Sequence, residues 1–139
     1  MRQGDKSDNV EAIKTGGLSG RCLCGGVRYQ IKGLLRDVVN CFCTQCQKTS
    51  GHHVAATRVR EKDLTIEASE TLTWYASSPG YERGFCNKCG GNLFWRCLGD
   101  KHISVMAGTL DKPTGLKTVK NIYQEDASDY FEIPKISGC

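Results

Sequence analysis

Seven of the nine cysteines in this 139-residue chain fall into three tight clusters. The first is Cys22-Leu23-Cys24-Gly25-Gly26, the second spans Cys41, Cys43 and Cys46, and the third is Cys86-Asn87-Lys88-Cys89-Gly90-Gly91. Thiols two or three positions apart rarely bridge each other, but they wrap one metal ion easily. The odd total also argues against a disulfide framework. In the third cluster, a glycine after the second cysteine supplies the positive φ of a tight knuckle and leaves backbone N–H groups to bond sulfur. The first cluster carries the same glycine pair. The two therefore read as one closed four-thiolate tetrahedron around zinc, a site that contributes to folding directly.

The middle cluster offers three cysteines within six residues and no glycine pair. Three protein ligands with one open position is the pattern of a catalytic zinc. His52 and His53, a few residues later, are candidates for a fourth ligand that would close it. Spacing alone also allows a ribbon-type partition, with Cys43 and Cys46 joined to Cys86 and Cys89. Two zinc ions per fully loaded chain is the expected cofactor content. A redox pair at Cys86 and Cys89 is a weaker reading, because such motifs sit in a βαβ context and this chain is strand-rich. Cys97, in the run Leu93-Phe94-Trp95-Arg96-Cys97-Leu98, reads as a small buried hydrophobe. Cys139 receives no role.

The elements that must position these residues are short. Val27, Tyr29 and Ile31 alternate with polar neighbours, as do Leu64 with Ile66 and Leu72 with Trp74. Val38-Val39, His53 to Val59, Asn92 to Cys97 and His102 to Ala107 are further strand candidates. Gly80, Gly90-Gly91, Gly99, Gly108 and Pro113 punctuate them. Short helices are expected near Thr44–Thr49 and Glu125–Tyr130. The sum is a mainly β domain of many short antiparallel strands with one or two short helices. Residues 1–17 read as a polar flexible arm and 18–139 as a single zinc-binding domain.

The formal charge of +4 counts thiols as neutral. Seven thiolates on two Zn2+ would bring it to about +1, and the Lys and Arg residues are scattered, so nucleic acid is not an expected partner. Met1 to Gly17 lacks the apolar run of a secretory leader, and no stretch approaches the roughly 20 apolar residues of a membrane span. A reducing, cytoplasmic compartment is the expectation.

Taken together, Gly20-Arg21-Cys22-Leu23-Cys24-Gly25-Gly26-Val27-Arg28-Tyr29, Cys41 through Gly51, Phe85 through Phe94 and Ala107-Gly108-Thr109-Leu110-Asp111 resemble the glutathione-dependent formaldehyde-activating enzyme family, whose domain is shared with centromere protein V. The resemblance covers residues 18 to 133. It implies a β-tent-like zinc fold, a structural zinc on Cys22, Cys24, Cys86 and Cys89, and a functional, catalytic zinc on Cys41, Cys43 and Cys46. It also implies condensation of glutathione with formaldehyde to S-hydroxymethylglutathione, a carbon–sulfur lyase activity. Phe42, Gln47 and Asn121 stand where the family often has His, Arg and His. Lys48, Arg58, Arg83 and Arg96 are candidates to pair with a glutathione carboxylate. The alternative is a non-catalytic zinc module that binds glutathione or a protein.

Overall fold

The computed structural model describes residues 12–14 and 17–136. Among the described residues, twelve strands, one α-helix and three single 3-10 turns make a mainly β domain. In chain order the strands are β1 (Ala12–Lys14), β2 (Gly17–Arg21), β3 (Arg28–Lys32), β4 (Leu35–Arg36), β5 (Val38–Cys41), β6 (Val54–Arg60), β7 (Leu64–Ala68), β8 (Leu72–Ser78), β9 (Tyr81–Cys86), β10 (Asn92–Cys97), β11 (His102–Met106) and β12 (Thr118–Ile122). Helix α1 (Thr44–Ser50) lies between β5 and β6. The second expected helix is replaced by a 3-10 turn at Gln124–Asp126, followed by irregular chain. Tyr123, at φ 56°, takes the left-handed conformation just before that turn. Within the stretch read as a flexible arm, Ala12–Lys14 pairs with Leu35–Arg36; residues 1–11, 15–16 and 137–139, Cys139 included, lie outside the described residues.

Three sheets result. A seven-stranded sheet runs β12-β5-β6-β11-β10-β9-β8, a three-stranded sheet runs β2-β3-β7, and β1 pairs with β4. The pairs are antiparallel except β12 with β5, which is parallel. Alternation along the strands divides the apolar residues between two clusters. Tyr29 and Ile31 of β3 meet Val59, Leu93, Phe94, Ile103 and Val105 of the large sheet in the first. The Tyr29 and Phe94 rings touch edge to face at 5.4 Å. Trp95, one residue on from Phe94, points into the second cluster with Val39, Val54, Ala56, Met106, Ile122 and three cysteines.

Close approach of the small sheet depends on glycine. A Cβ on Gly20 of β2 would overlap the Tyr29 ring and the Thr109 carbonyl oxygen. Gly20→Ala is therefore expected to cost about 1–3 kcal/mol by overpacking, measured as a lowered urea midpoint with an unchanged m-value. An unchanged midpoint would contradict this packing.

Candidate metal centre

Each cysteine cluster is built by a different local device. Cys22 and Cys24 occupy the turn from β2 to β3, and Cys86 and Cys89 occupy the turn from β9 to β10. Gly25 and Gly90 take φ of 79° and 80°, the left-handed values that such knuckles require. Gly91 lies so close to Cys22 that a Cβ there would sit 3.3 Å from the Cys22 Cβ. The N–H groups of Val27, Gly26 and Cys89 bond the sulfurs of Cys22, Cys24 and Cys86 at 3.3–3.4 Å. Thr71 Oγ1 lies 3.1 Å from Cys86 Sγ. With the Cys89 N–H it helps bring the Cys86 thiol down to about 5.

The sulfurs of Cys22, Cys24, Cys86 and Cys89 all lie within 4.8 Å of one another. Cys22 Sγ to Cys24 Sγ is 3.7 Å and Cys24 Sγ to Cys86 Sγ is 3.6 Å. A disulfide needs about 2.05 Å. A tetrahedron with Zn–S bonds of about 2.3 Å has edges of roughly 3.8 Å. The quartet therefore fits a tetrahedral zinc ion. It also ties the β2–β3 turn of the small sheet to the β9–β10 turn of the large one.

Cys41, Cys43 and Cys46 form a second group within the same limit, all three buried. Cys41 ends β5, and Cys43 caps α1, its sulfur accepting the Cys46 N–H at 3.4 Å. The helix stops after two turns at Gly51, whose φ of 82° forms the left-handed cap. Hydrogen bonds from the Cys41 and Cys46 thiols bring the Cys43 thiol down to about 2, aided by the Cys46 N–H and the Arg83 guanidinium. Donating toward Cys43 and being buried push Cys41 up. Cys46, although favoured as a thiolate by Cys41, is pushed up to about 12 by Cys43 and burial. Three buried sulfurs this close compete for one negative charge, and a cation is what lets all three ionise. The donor set fits zinc with a position left for another ligand.

The two sulfur groups separate as the paired glycines suggest, not as a ribbon. Neither His52 nor His53 joins the trio. His53 packs instead on Phe42 with ring centroids 4.8 Å apart, and His52 hydrogen-bonds the Tyr130 hydroxyl and packs against Phe131. Burial and then the neighbouring His52 hold the His53 imidazole below its usual value.

The four basic candidates part company. Arg58 pairs with Asp100 at 2.5 Å. Arg96 bonds Glu82 at 2.8 Å and lies 3.7 Å over the Trp74 ring. Lys48 is exposed in the last turn of α1. Arg83 is 2% exposed, and its Nη2 points at Cys46 Sγ, 3.8 Å away. Burial removes Arg83 from the role of an open carboxylate clamp. Its proximity to sulfur had no signature in the sequence, since 37 residues separate the two. Gln47 likewise has a role that spacing did not show: its Nε2 donates to the carbonyl oxygens of Phe42 and Asp126 at 2.8 and 2.7 Å. Cys97 is partly buried against the second core cluster, close to the expected small apolar role.

Comparison with known proteins adds three findings. The family model described as "Glutathione-dependent formaldehyde-activating enzyme" matches residues 17–126. A crystal structure of a Rhodobacter sphaeroides protein is similar at 25% identity, with a TM-score of 0.61 over 74% of this chain and 98% of that one. No curated protein matches the chain.

Proposed function

The chain belongs to the glutathione-dependent formaldehyde-activating enzyme family, and from that premise we propose that it is a two-zinc carbon–sulfur lyase that joins glutathione to formaldehyde. Residues 18–139 act as the single catalytic domain, in the cytoplasm. Cys22, Cys24, Cys86 and Cys89 hold a closed structural zinc. Cys41, Cys43 and Cys46 hold the functional one. The observation that carries the reading is the division of seven sulfurs into a quartet and a trio.

Held by Cys41, Cys43 and Cys46, a zinc ion would supply an open position and a positive charge that would favour the ionised form of a substrate thiol, which when free is half ionised only near about pH 8.5. The chain's own residues set the geometry. Val54 and Ile122 pack with the trio in the second apolar cluster, and the Gln47 amide ties α1 to the Asp126 turn so that Cys43 and Cys46 keep one orientation. In the reaction, the glutathione sulfur bonds to the formaldehyde carbon and the carbonyl oxygen takes a proton. Nothing is oxidised or reduced.

A second reading, a zinc module that binds a thiol or a protein without catalysis, is favoured by one observation. All three residues that replace the family's frequent His and Arg are committed internally. Phe42 is fully buried, Gln47 bonds two carbonyls, and Asn121 accepts from Asn40 at 3.1 Å and donates to the Pro134 carbonyl at 2.8 Å.

Formaldehyde and glutathione combine without a catalyst, so NMR exchange rates with and without the zinc-loaded protein separate the readings. The lyase reading expects an exchange rate well above background, rising linearly with protein concentration. Rates equal to background, with glutathione still bound, select the binding module.

A further inference from the structure

Arg83 presents a buried cation to a cluster of sulfur anions. It sits in β9 directly opposite Trp95 of β10 and Tyr75 of β8. Trp95 belongs to the apolar cluster that contains Cys41, Cys43 and Cys46, so the strand's alternation sends Arg83 to the same face. Arg83 is 2% exposed, and its Nη2 lies 3.8 Å from Cys46 Sγ and 3.5 Å from Gln45 Oε1. Gln45 and Cys46 both belong to α1, so one guanidinium holds the helix that carries a ligand. The quartet is served differently, by the backbone N–H groups of Val27, Gly26 and Cys89.

We propose that Arg83 is the fixed counter-charge of the three-cysteine centre, holding its zinc and keeping its open position receptive to an anionic thiolate. This rests on the two-zinc reading above. Three thiolates on one Zn2+ carry a net charge of about −1, and a fourth, incoming thiolate would make it about −2 in a buried place. The guanidinium offsets one of those charges at a distance where burial keeps the interaction strong.

The test is competition for zinc against a chromophoric chelator, on the full chain, followed by titration with glutathione. Wild type is measured first and is expected to give two ions, the second released more readily. Arg83→Met, which removes charge and keeps bulk, is expected to weaken the second ion roughly 10–100-fold and to leave the first unchanged. Arg83→Lys is expected to restore at least part of that loss. A merely structural role for the fork geometry would not show such rescue. If Arg83→Met does not fold by circular dichroism, Arg83→Gln takes its place. A single ion on wild type sinks the two-zinc reading and this inference with it. Two ions on wild type with equal retention in the Met or Gln variant sink the inference alone. So does a lysine variant as weak as the neutral ones.

Discussion

Cys22→Ser is expected to leave the chain without a cooperative thermal transition at 25 °C. The sulfur is one corner of the quartet that joins the two sheets, and its carbon lies inside the first apolar cluster against Gly91. Structural zinc sites bind with apparent free energies of about 10–16 kcal/mol, and such binding is folding free energy when the unfolded chain has no site. A domain of this kind is stable by only about 5–15 kcal/mol. A serine oxygen is a poor zinc donor at neutral pH, because its proton is not readily lost. Losing most of that metal affinity therefore removes stability of the same order as the total. Far-UV circular dichroism, tryptophan fluorescence and bound zinc are the measurements. A chelator strong enough to strip the quartet should give the same unfolded spectrum in the unmodified protein. Cys97→Ser is the control. That thiol is no part of either sulfur group, so both ions stay, and the stability cost is about 1 kcal/mol or less. A Cys22→Ser protein that melts cooperatively within a few degrees of wild type would show that apolar packing alone holds the sheets together.

How far this arrangement can be read in the sequence depends on what each residue does locally. The glycine pairs after Cys24 and Cys89 point to the quartet because a positive φ is a local requirement, and Gly25 and Gly90 meet it. Spacing by itself leaves the ribbon partition open, since nothing in a C-x2-C pair records which other pair it will meet. Strand β10 is legible from Asn92 to Cys97 through its apolar run. Its neighbour β9 is not, because Gly84 interrupts the alternation. That glycine is there for packing: a Cβ would lie 3.0 Å from the Trp74 ring and 3.2 Å from Phe94. The same cause hides β2, whose Gly20 makes room for the Tyr29 ring. Strand β12, Thr-Val-Lys-Asn-Ile, is a sheet edge paired in parallel to β5, with only Ile122 buried, so its pattern is faint. The Glu125–Tyr130 helix fails for a tertiary reason. The Asp126 carbonyl is taken by Gln47, while Tyr130 and Phe131 pack on His52. Arg83 stands out in the sequence only as a candidate carboxylate partner, because its contact with Cys46 joins β9 to α1 and no local pattern encodes that.

The trio should behave in the opposite way to the quartet. Cys46→Ser is expected to lose one zinc ion and return formaldehyde–glutathione exchange to the uncatalysed rate, while the fold persists. The reason is position. Cys46 lies in a seven-residue helix between β5 and β6, and the strands around it are joined by their own ladders through β5, β6 and β12. Removing its sulfur deletes a ligand and one buried apolar contact, but no link between sheets. The expected destabilisation is about 1–3 kcal/mol, with the ion's own contribution lost as well when zinc is in excess. Acid should reveal the same inequality in the unmodified protein. Zinc ligands must be deprotonated, so each centre gives up its ion as pH falls. The trio binds through fewer thiolates, so its ion should leave at the higher pH, with activity following that first step and the circular dichroism signal following the second. Elemental analysis across a pH series, read beside activity and ellipticity, makes the comparison. A Cys46→Ser protein that retains two ions, or an acid titration in which activity and fold are lost together, would mean that the two centres are one cooperative unit and that the trio is structural.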